Sequence, residues 1–79
     1  LVGSEMCIRD SNKSGKSTWT FINVMLDKQI TVDGVISVNQ SKYPDKPCFI
    51  IGTENDDGSV TTYELDAETM ELSVQIILL

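Results

Sequence analysis

The chain has 79 residues, a net charge of −6 and no histidine, so we expect one small domain with a modest core. Without histidine, histidine-based acid–base chemistry and most zinc sites lack their usual ligands. The negative charge argues against a duplex nucleic-acid partner, which needs clustered lysine and arginine. No apolar run reaches membrane-spanning length. The sequence therefore predicts neither a duplex nucleic-acid partner nor a membrane partner.

The first ten residues, LVGSEMCIRD, lack the apolar stretch of a signal peptide. They resemble the translation of a transposase-type sequencing adapter, because the frame CTC GTG GGC TCG GAG ATG TGT ATA AGA GAC encodes all ten letters. The next two bases, AG, begin a codon for serine or arginine, and residue 11 is Ser11. The resemblance implies that residues 1–11 are artefactual, and we expect them to be disordered or unpacked. The natural chain would then start near Asn12, and the apolar end LSVQIILL suits either a true terminal strand or a sequence that is cut short.

Residues 12–17 are predicted to be a flexible lead-in. Residues 15–18 read GKST. A P-loop ends in this way: glycine exposes backbone N–H groups to phosphate, lysine reaches the outer phosphates, and serine or threonine holds magnesium. The candidate cofactor-binding residues are Gly15, Lys16, Ser17 and Thr18. With Gly34 and the β-rich run after it, the stretch resembles an ATP-binding-cassette domain. That resemblance implies a truncated P-loop nucleotide-binding domain as the alternative function.

The residues on both sides of GKST bear on the choice between a P-loop and a β-strand. A full P-loop has a glycine five positions before Gly15, but that position is Asp10, inside the adapter-like segment. A P-loop also opens a helix, whereas TWTFINVML (18–26) is dense in aromatic and β-branched residues. We therefore predict a strand over 18–26, buried on most of both faces. A helix over residues 18–27 would favour the P-loop.

Two hairpin signals follow. In ITVDGVISV (30–38), Asp-Gly between alternating apolar residues predicts a hairpin; one long strand with a glycine bulge is the alternative. QSKYPDKP (40–47) is a predicted loop. CFIIGTE (48–54) and SVTTYEL (59–65) are predicted strands joined by the turn NDDG, and DAET (66–69) is the next turn.

The last predicted strand begins near Met70, where apolar residues at every second position alternate with Glu71, Ser73 and Gln75. This pattern is typical of a half-buried antiparallel strand. The fold class is therefore all-β, a small antiparallel meander of four to six strands, and residues 18–79 form a single small β domain or a fragment of a larger one. The predicted core residues are Trp19, Phe21, Val24, Ile36, Phe49 or Ile50, Leu65, Leu72, Val74 and Ile76.

An acidic stretch, TENDDGSVTTYE (53–64), partly follows the calcium-binding loop of EF-hands. Calcium needs oxygen ligands spaced to wrap a single hard cation. The candidate metal ligands are Asn55, Asp57 and Glu64, at the third, fifth and twelfth loop positions. Thr53 stands where that family uses aspartate, and the flanks are predicted strands rather than helices. An acidic hairpin turn without calcium is the simpler interpretation.

Residues 52–72, GTENDDGSVTTYELDAETMEL, resemble one blade repeat of a quinoprotein-type β-propeller. The shared features are a glycine-threonine strand end, an Asp-Gly turn, and the stretch YELDAET. The family's glycine after the threonine is Met70 here. The resemblance implies three consecutive antiparallel strands and a piece of a larger ring, and it carries over no cofactor residues.

No catalytic constellation stands out in the sequence. Asp56 and Asp57 adjoin each other in a predicted turn, whereas acid–base pairs need a shaped pocket. Cys48 has no histidine partner, so we expect a small buried core thiol. The sequence therefore predicts a non-enzymatic β-rich binding or structural module with no catalytic residues and no cofactor, whose partner is another protein or a parent domain.

Overall fold

The structure, a computed structural model, describes the backbone of residues 6–13, 16–41 and 47–75 and the side chains of residues 17–41 and 47–75. Six strands form one sheet in the order β1 to β6, with every neighbouring pair antiparallel. The strands are β1 Met6–Lys13, β2 Lys16–Asn23, β3 Lys28–Ser41, β4 Cys48–Glu54, β5 Val60–Asp66 and β6 Leu72–Val74. The predicted all-β antiparallel meander is confirmed. The described segments contain no helix, and hence none that could cross a membrane.

Strand β2 ends three residues earlier than the sequence predicted. A turn occupies residues 24–27, and Asp27 closes it with a φ of 53°. The side chain of Asn23 accepts a hydrogen bond from the backbone N–H of Leu26 at 3.0 Å, which is how asparagine commonly organises a turn. Val24 therefore lies in the turn and is 63% exposed, so its predicted place in the core is wrong.

A glycine bulge in the middle of β3 replaces the predicted Asp-Gly hairpin, so the alternative of one long strand is correct. Gly34 has a φ of 68°, and a Cβ there would lie 3.2 Å from the carbonyl oxygen of Glu54. The pairing register shifts on both sides of this point. A bulge adds one residue and rotates those that follow. Val35 is therefore buried, and Ile36, predicted in the core, is 56% exposed.

The bulge also divides β3 between two partners. Residues 28–35 pair with β2, and residues 35–41 pair with β4. A strand that bends at a bulge can turn a corner between two halves of a sheet. The bend brings Phe21 of β2 and Phe49 of β4 to a ring-centroid distance of 5.4 Å, although two strand spacings amount to roughly 10 Å.

The core lies on one face of this bent sheet. Its buried apolar residues are Phe21, Val32, Val35, Phe49, Ile51, Leu65 and Met70. Trp19, Ile30, Val38, Tyr63 and Ala67 pack against them and are partly buried. The burial of Phe21, Phe49 and Leu65 confirms three predicted core positions. Two other predicted positions, Leu72 and Val74, are exposed because they lie on the edge strand, and Ile76 is outside the described residues.

The turn after β5 closes one end of the core. The side-chain amide of Asn23 donates a hydrogen bond of 2.9 Å to the carbonyl oxygen of Ala67. In a flat sheet, β2 and β5 would be separated by roughly 14 Å. Asn23 is only 4% exposed, so one buried amide connects two turns that are 44 positions apart in sequence.

The first described strand falls on the adapter-like segment. Backbone pairing joins Met6 to Asn23 and continues along β1 to Lys13, which pairs with Lys16. Residues 1–11 were expected to be disordered or unpacked and residues 12–17 to be a flexible lead-in; the backbone of Met6–Lys13 pairs as a strand, and the side chains of residues 6–16 lie outside the described ones. An edge strand exposes a row of N–H and C=O groups that can pair with any extended backbone, so this pairing needs no selected side chains. Residues 1–5 and 14–15 lie outside the described residues.

Candidate functional site

The P-loop residues lie at the start of a strand. Gly15 is outside the described residues, and the chain from Lys16 to Asn23 is β2, where a P-loop would open a helix. The hydroxyl of Thr18 donates a hydrogen bond of 3.0 Å to Asp33 on β3. The described part of this segment therefore has the geometry of a hairpin arm.

The predicted calcium ligands are not brought together. Asn55 and Asp57 lie in the turn between β4 and β5, whereas Glu64 lies within β5, four residues beyond its first residue and so roughly 13 Å along the strand. The amide of Asn55 donates to the hydroxyl of Thr61 at 2.8 Å. Among the side chains that the structure describes, those of residues 17–41 and 47–75, no three from His, Cys, Asp or Glu are placed to hold a metal ion.

Asp57 instead stabilises the turn. Its carboxylate accepts hydrogen bonds from the hydroxyl of Ser59 and from the backbone N–H of Ser59, the latter at 2.9 Å. These bonds favour the charged form and lower the pKa of Asp57 below its ordinary value. Gly58, with a φ of 88°, completes the turn.

Cys48 is half-buried rather than a core residue. Its register partners are Ser41 and Asp66, and neighbouring Phe49 faces the core, so Cys48 lies on the opposite face. The thiol donates a long contact of 3.9 Å to the carboxylate of Glu64.

Asp66 organises the turn that leads into β6. Its carboxylate accepts the backbone N–H of Glu68 at 2.8 Å and that of Thr69 at 3.1 Å. Its carbonyl oxygen accepts the N–H of Met70 at 2.8 Å. Met70 ends the turn with a φ of 64°, yet its side chain is only 5% exposed. The chain thus tolerates a left-handed backbone at a residue whose side chain belongs to the core.

Strand β6 ends the sheet, and its backbone bonding defines an open edge. The N–H of Gln75 donates to Thr62, and the N–H of Asp66 donates to the carbonyl of Glu71. Hydrogen-bonded pairs alternate with non-bonded pairs in an antiparallel ladder, so residues 71, 73 and 75 bond toward β5. The N–H and C=O groups of Leu72 and Val74 therefore point to the open side. No described strand pairs with them there.

The side chains of the same two residues share the core face of the sheet but are not covered. Leu72 pairs with Leu65, which is fully buried, and Val74 pairs with half-buried Tyr63. Leu72 is 39% exposed and Val74 is 56% exposed. The apolar face of the sheet therefore extends to the edge strand without a further element over it among the described residues.

Two surface cavities flank this edge, and Leu72 lines both. A cleft of about 310 Å³ on the core face is lined by three apolar or aromatic residues and five polar ones: Val32, Tyr63 and Leu72, and Thr31, Asp33, Thr53, Glu54 and Asn55. A groove of about 400 Å³ on the other side is lined by Glu64, Asp66, Glu71, Leu72 and Ser73. The edge of β6 is thus bordered by carboxylates on both sides.

The sequence predicted a strand at this place but not its role as an open edge. The order of strands in a sheet is a tertiary property, so the alternation around Leu72 and Val74 could not distinguish an edge strand from a covered one. Comparison of the chain with protein-family models, with curated proteins and with solved structures finds no match.

Proposed function

We propose that this chain is a non-enzymatic β module that binds a partner strand along the open edge of β6. The partner is another protein or the rest of a larger β domain. One observation carries the proposal: the backbone groups of Leu72 and Val74 point away from β5, while their side chains extend the apolar face into solvent. An added strand would form hydrogen bonds with these backbone groups and cover these side chains, which is the usual mode of β-strand addition.

The blade-like segment is consistent with a parent domain. Residues 52–72 run from β4 through β5 to β6, three consecutive antiparallel strands. Met70 stands where the propeller repeat has glycine, and its φ of 64° is a conformation that favours glycine. These features support the resemblance to one repeat of a larger ring.

A peptide selection tests the proposal. A phage-displayed library of random linear peptides is panned against the whole chain, and the selected peptides are mapped by amide hydrogen exchange. We expect exchange to slow at Leu72 and Val74, whose N–H groups face the open edge. The amides of Ser73 and Gln75 already bond to β5 and should change little. Selected peptides that leave the Leu72 and Val74 amides unchanged would contradict the proposal.

A matched pair of variants isolates the edge. In Val74→Pro the outward N–H is lost, and since β5 does not use that N–H, the internal ladder remains. Val74→Thr keeps both the N–H and the preference for a strand. Binding should disappear in the proline variant and persist in the threonine variant. Equal binding by both would refute β-strand addition.

A further inference from the structure

We infer that the strand accepted by β6 alternates apolar residues with lysine or arginine, an inference that rests on the proposed function. Side chains of an added strand alternate between the two faces of the sheet, as they do in β6 itself. One set of partner side chains therefore meets the face of Leu72 and Val74, and the other set meets the face of Ser73.

The face of Leu72 and Val74 takes the apolar set. The cleft of about 310 Å³ beside Leu72 offers Val32 and Tyr63 as apolar contacts. A valine or leucine from the partner would cover Leu72 and Val74, and burial of such apolar side chains favours association. Exposed apolar area at the sheet edge is thus removed from water on both strands.

The face of Ser73 takes the basic set. Glu64 pairs with Ser73 in the register, and Asp66 pairs with Glu71 through the N–H to carbonyl bond. All three carboxylates line the groove of about 400 Å³. A lysine or arginine can lay its alkyl stem along the strand and place its charge among these oxygens.

Charge also argues against a second copy of this chain as the occupant. Each copy carries a net charge of −6. Edge-to-edge pairing of two β6 strands would bring together two grooves that each hold Glu64, Asp66 and Glu71. Like charges that face each other across an interface suppress association, so a basic partner strand is favoured over self-pairing.

Binding of defined peptides to the whole chain tests the inference. The probes are seven-residue peptides with blocked ends in which valine alternates with lysine, with threonine or with glutamate. We expect the lysine peptide to bind most tightly, the threonine peptide more weakly, and the glutamate peptide weakest. Because the groove is exposed to solvent, added salt should narrow the difference between the lysine and threonine peptides.

Two charge variants locate the effect. Glu71→Gln removes a carboxylate of the groove and should weaken the lysine peptide by roughly two- to fivefold, with little change for the threonine peptide. Glu68→Gln makes the same charge change in the turn, outside the groove, and serves as the control. An equal effect of both variants would refute the assigned site.

The outcomes separate the two proposals. If the lysine and threonine peptides bind equally and both lose binding in Val74→Pro, strand addition stands and the basic preference is refuted. If none of the peptides binds and the library selection also yields no ligand of the β6 edge, the proposed function itself is overturned. Self-association that exceeds peptide binding would replace the basic strand with a second copy.

Discussion

Asn23 connects two turns, and its replacement by alanine should destabilise the fold substantially. Its amide donates to Ala67 at 2.9 Å, and its side-chain oxygen accepts from Leu26 at 3.0 Å. A typical intramolecular hydrogen bond contributes about 0.5–1.5 kcal/mol, so loss of both costs about 1–3 kcal/mol. A domain of this size has a free energy of unfolding of roughly 4–12 kcal/mol, of which this is a large fraction.

Urea unfolding followed by the fluorescence of Trp19, the single tryptophan, measures the change. The matched control is Asn39→Ala, since Asn39 is an exposed asparagine within β3, and it should shift the free energy of unfolding by less than about 0.5 kcal/mol. Asn23→Asp keeps the acceptor for Leu26 but sets a carboxylate against the carbonyl of Ala67, so it should also destabilise. If Asn23→Ala lowers the free energy of unfolding no more than Asn39→Ala does, the Asn23 amide does not connect the turns.

Five further results are expected. Deletion of residues 1–11 should change the Tm by less than about 4 °C, the equivalent of under 1 kcal/mol, because a segment that resembles a translated adapter is not expected to fit the core; a larger drop would show that β1 stabilises the fold. In urea unfolding, Asp27→Gly should slightly raise the free energy of unfolding, since exposed Asp27 has a φ of 53°. Met70→Gly should lower the free energy of unfolding by about 1–3 kcal/mol, because the loss of side-chain burial outweighs the relief of backbone strain at φ 64°. A higher free energy of unfolding in Met70→Gly would show that backbone strain outweighs burial at this position. Ser59→Ala should raise the pKa of Asp57 in a carboxyl NMR titration. The lowered pKa means that the Asp57 contribution to stability is present above its ordinary value of 3.8 and is lost as the pH falls through the lower folded value; an unchanged titration would remove Ser59 as the cause. ATP with magnesium should show no saturable binding, and binding that Lys16→Ala abolishes would favour the P-loop alternative over the β module.

The sequence predicted those parts of the fold that depend on neighbouring residues. CFIIGTE (48–54) is β4 with the predicted bounds, and the turns NDDG and DAET lie where the turn residues indicated. These elements are determined by local alternation and by asparagine, aspartate and glycine at the turns. Local rules therefore sufficed for β4, β5 and the connections around them.

Departures from the prediction have tertiary causes. The Asp33-Gly34 pair suits either a hairpin or a bulge, and the pairing of β3 with both β2 and β4 selects the bulge. Because the bulge adds one residue to β3, Val35 rather than the predicted Ile36 lies in the core. Leu72 and Val74 have the pattern of buried residues but lie at the end of the sheet. The candidate site is this edge, so the pattern that predicted a strand could not reveal the site.

The bend in β3 has a consequence for the order of folding. Strands that pair in this sheet are neighbours in sequence, so each hairpin can form without waiting for distant segments. Residues 28–35 complete a hairpin with β2, and residues 35–41 complete one with β4. We therefore expect two nuclei to grow from opposite ends of a single strand, and we expect the bond from Asn23 to Ala67, which spans 44 positions, to form after both have docked. Strand β3 is the element that both nuclei share, and its bulge fixes the angle at which they meet.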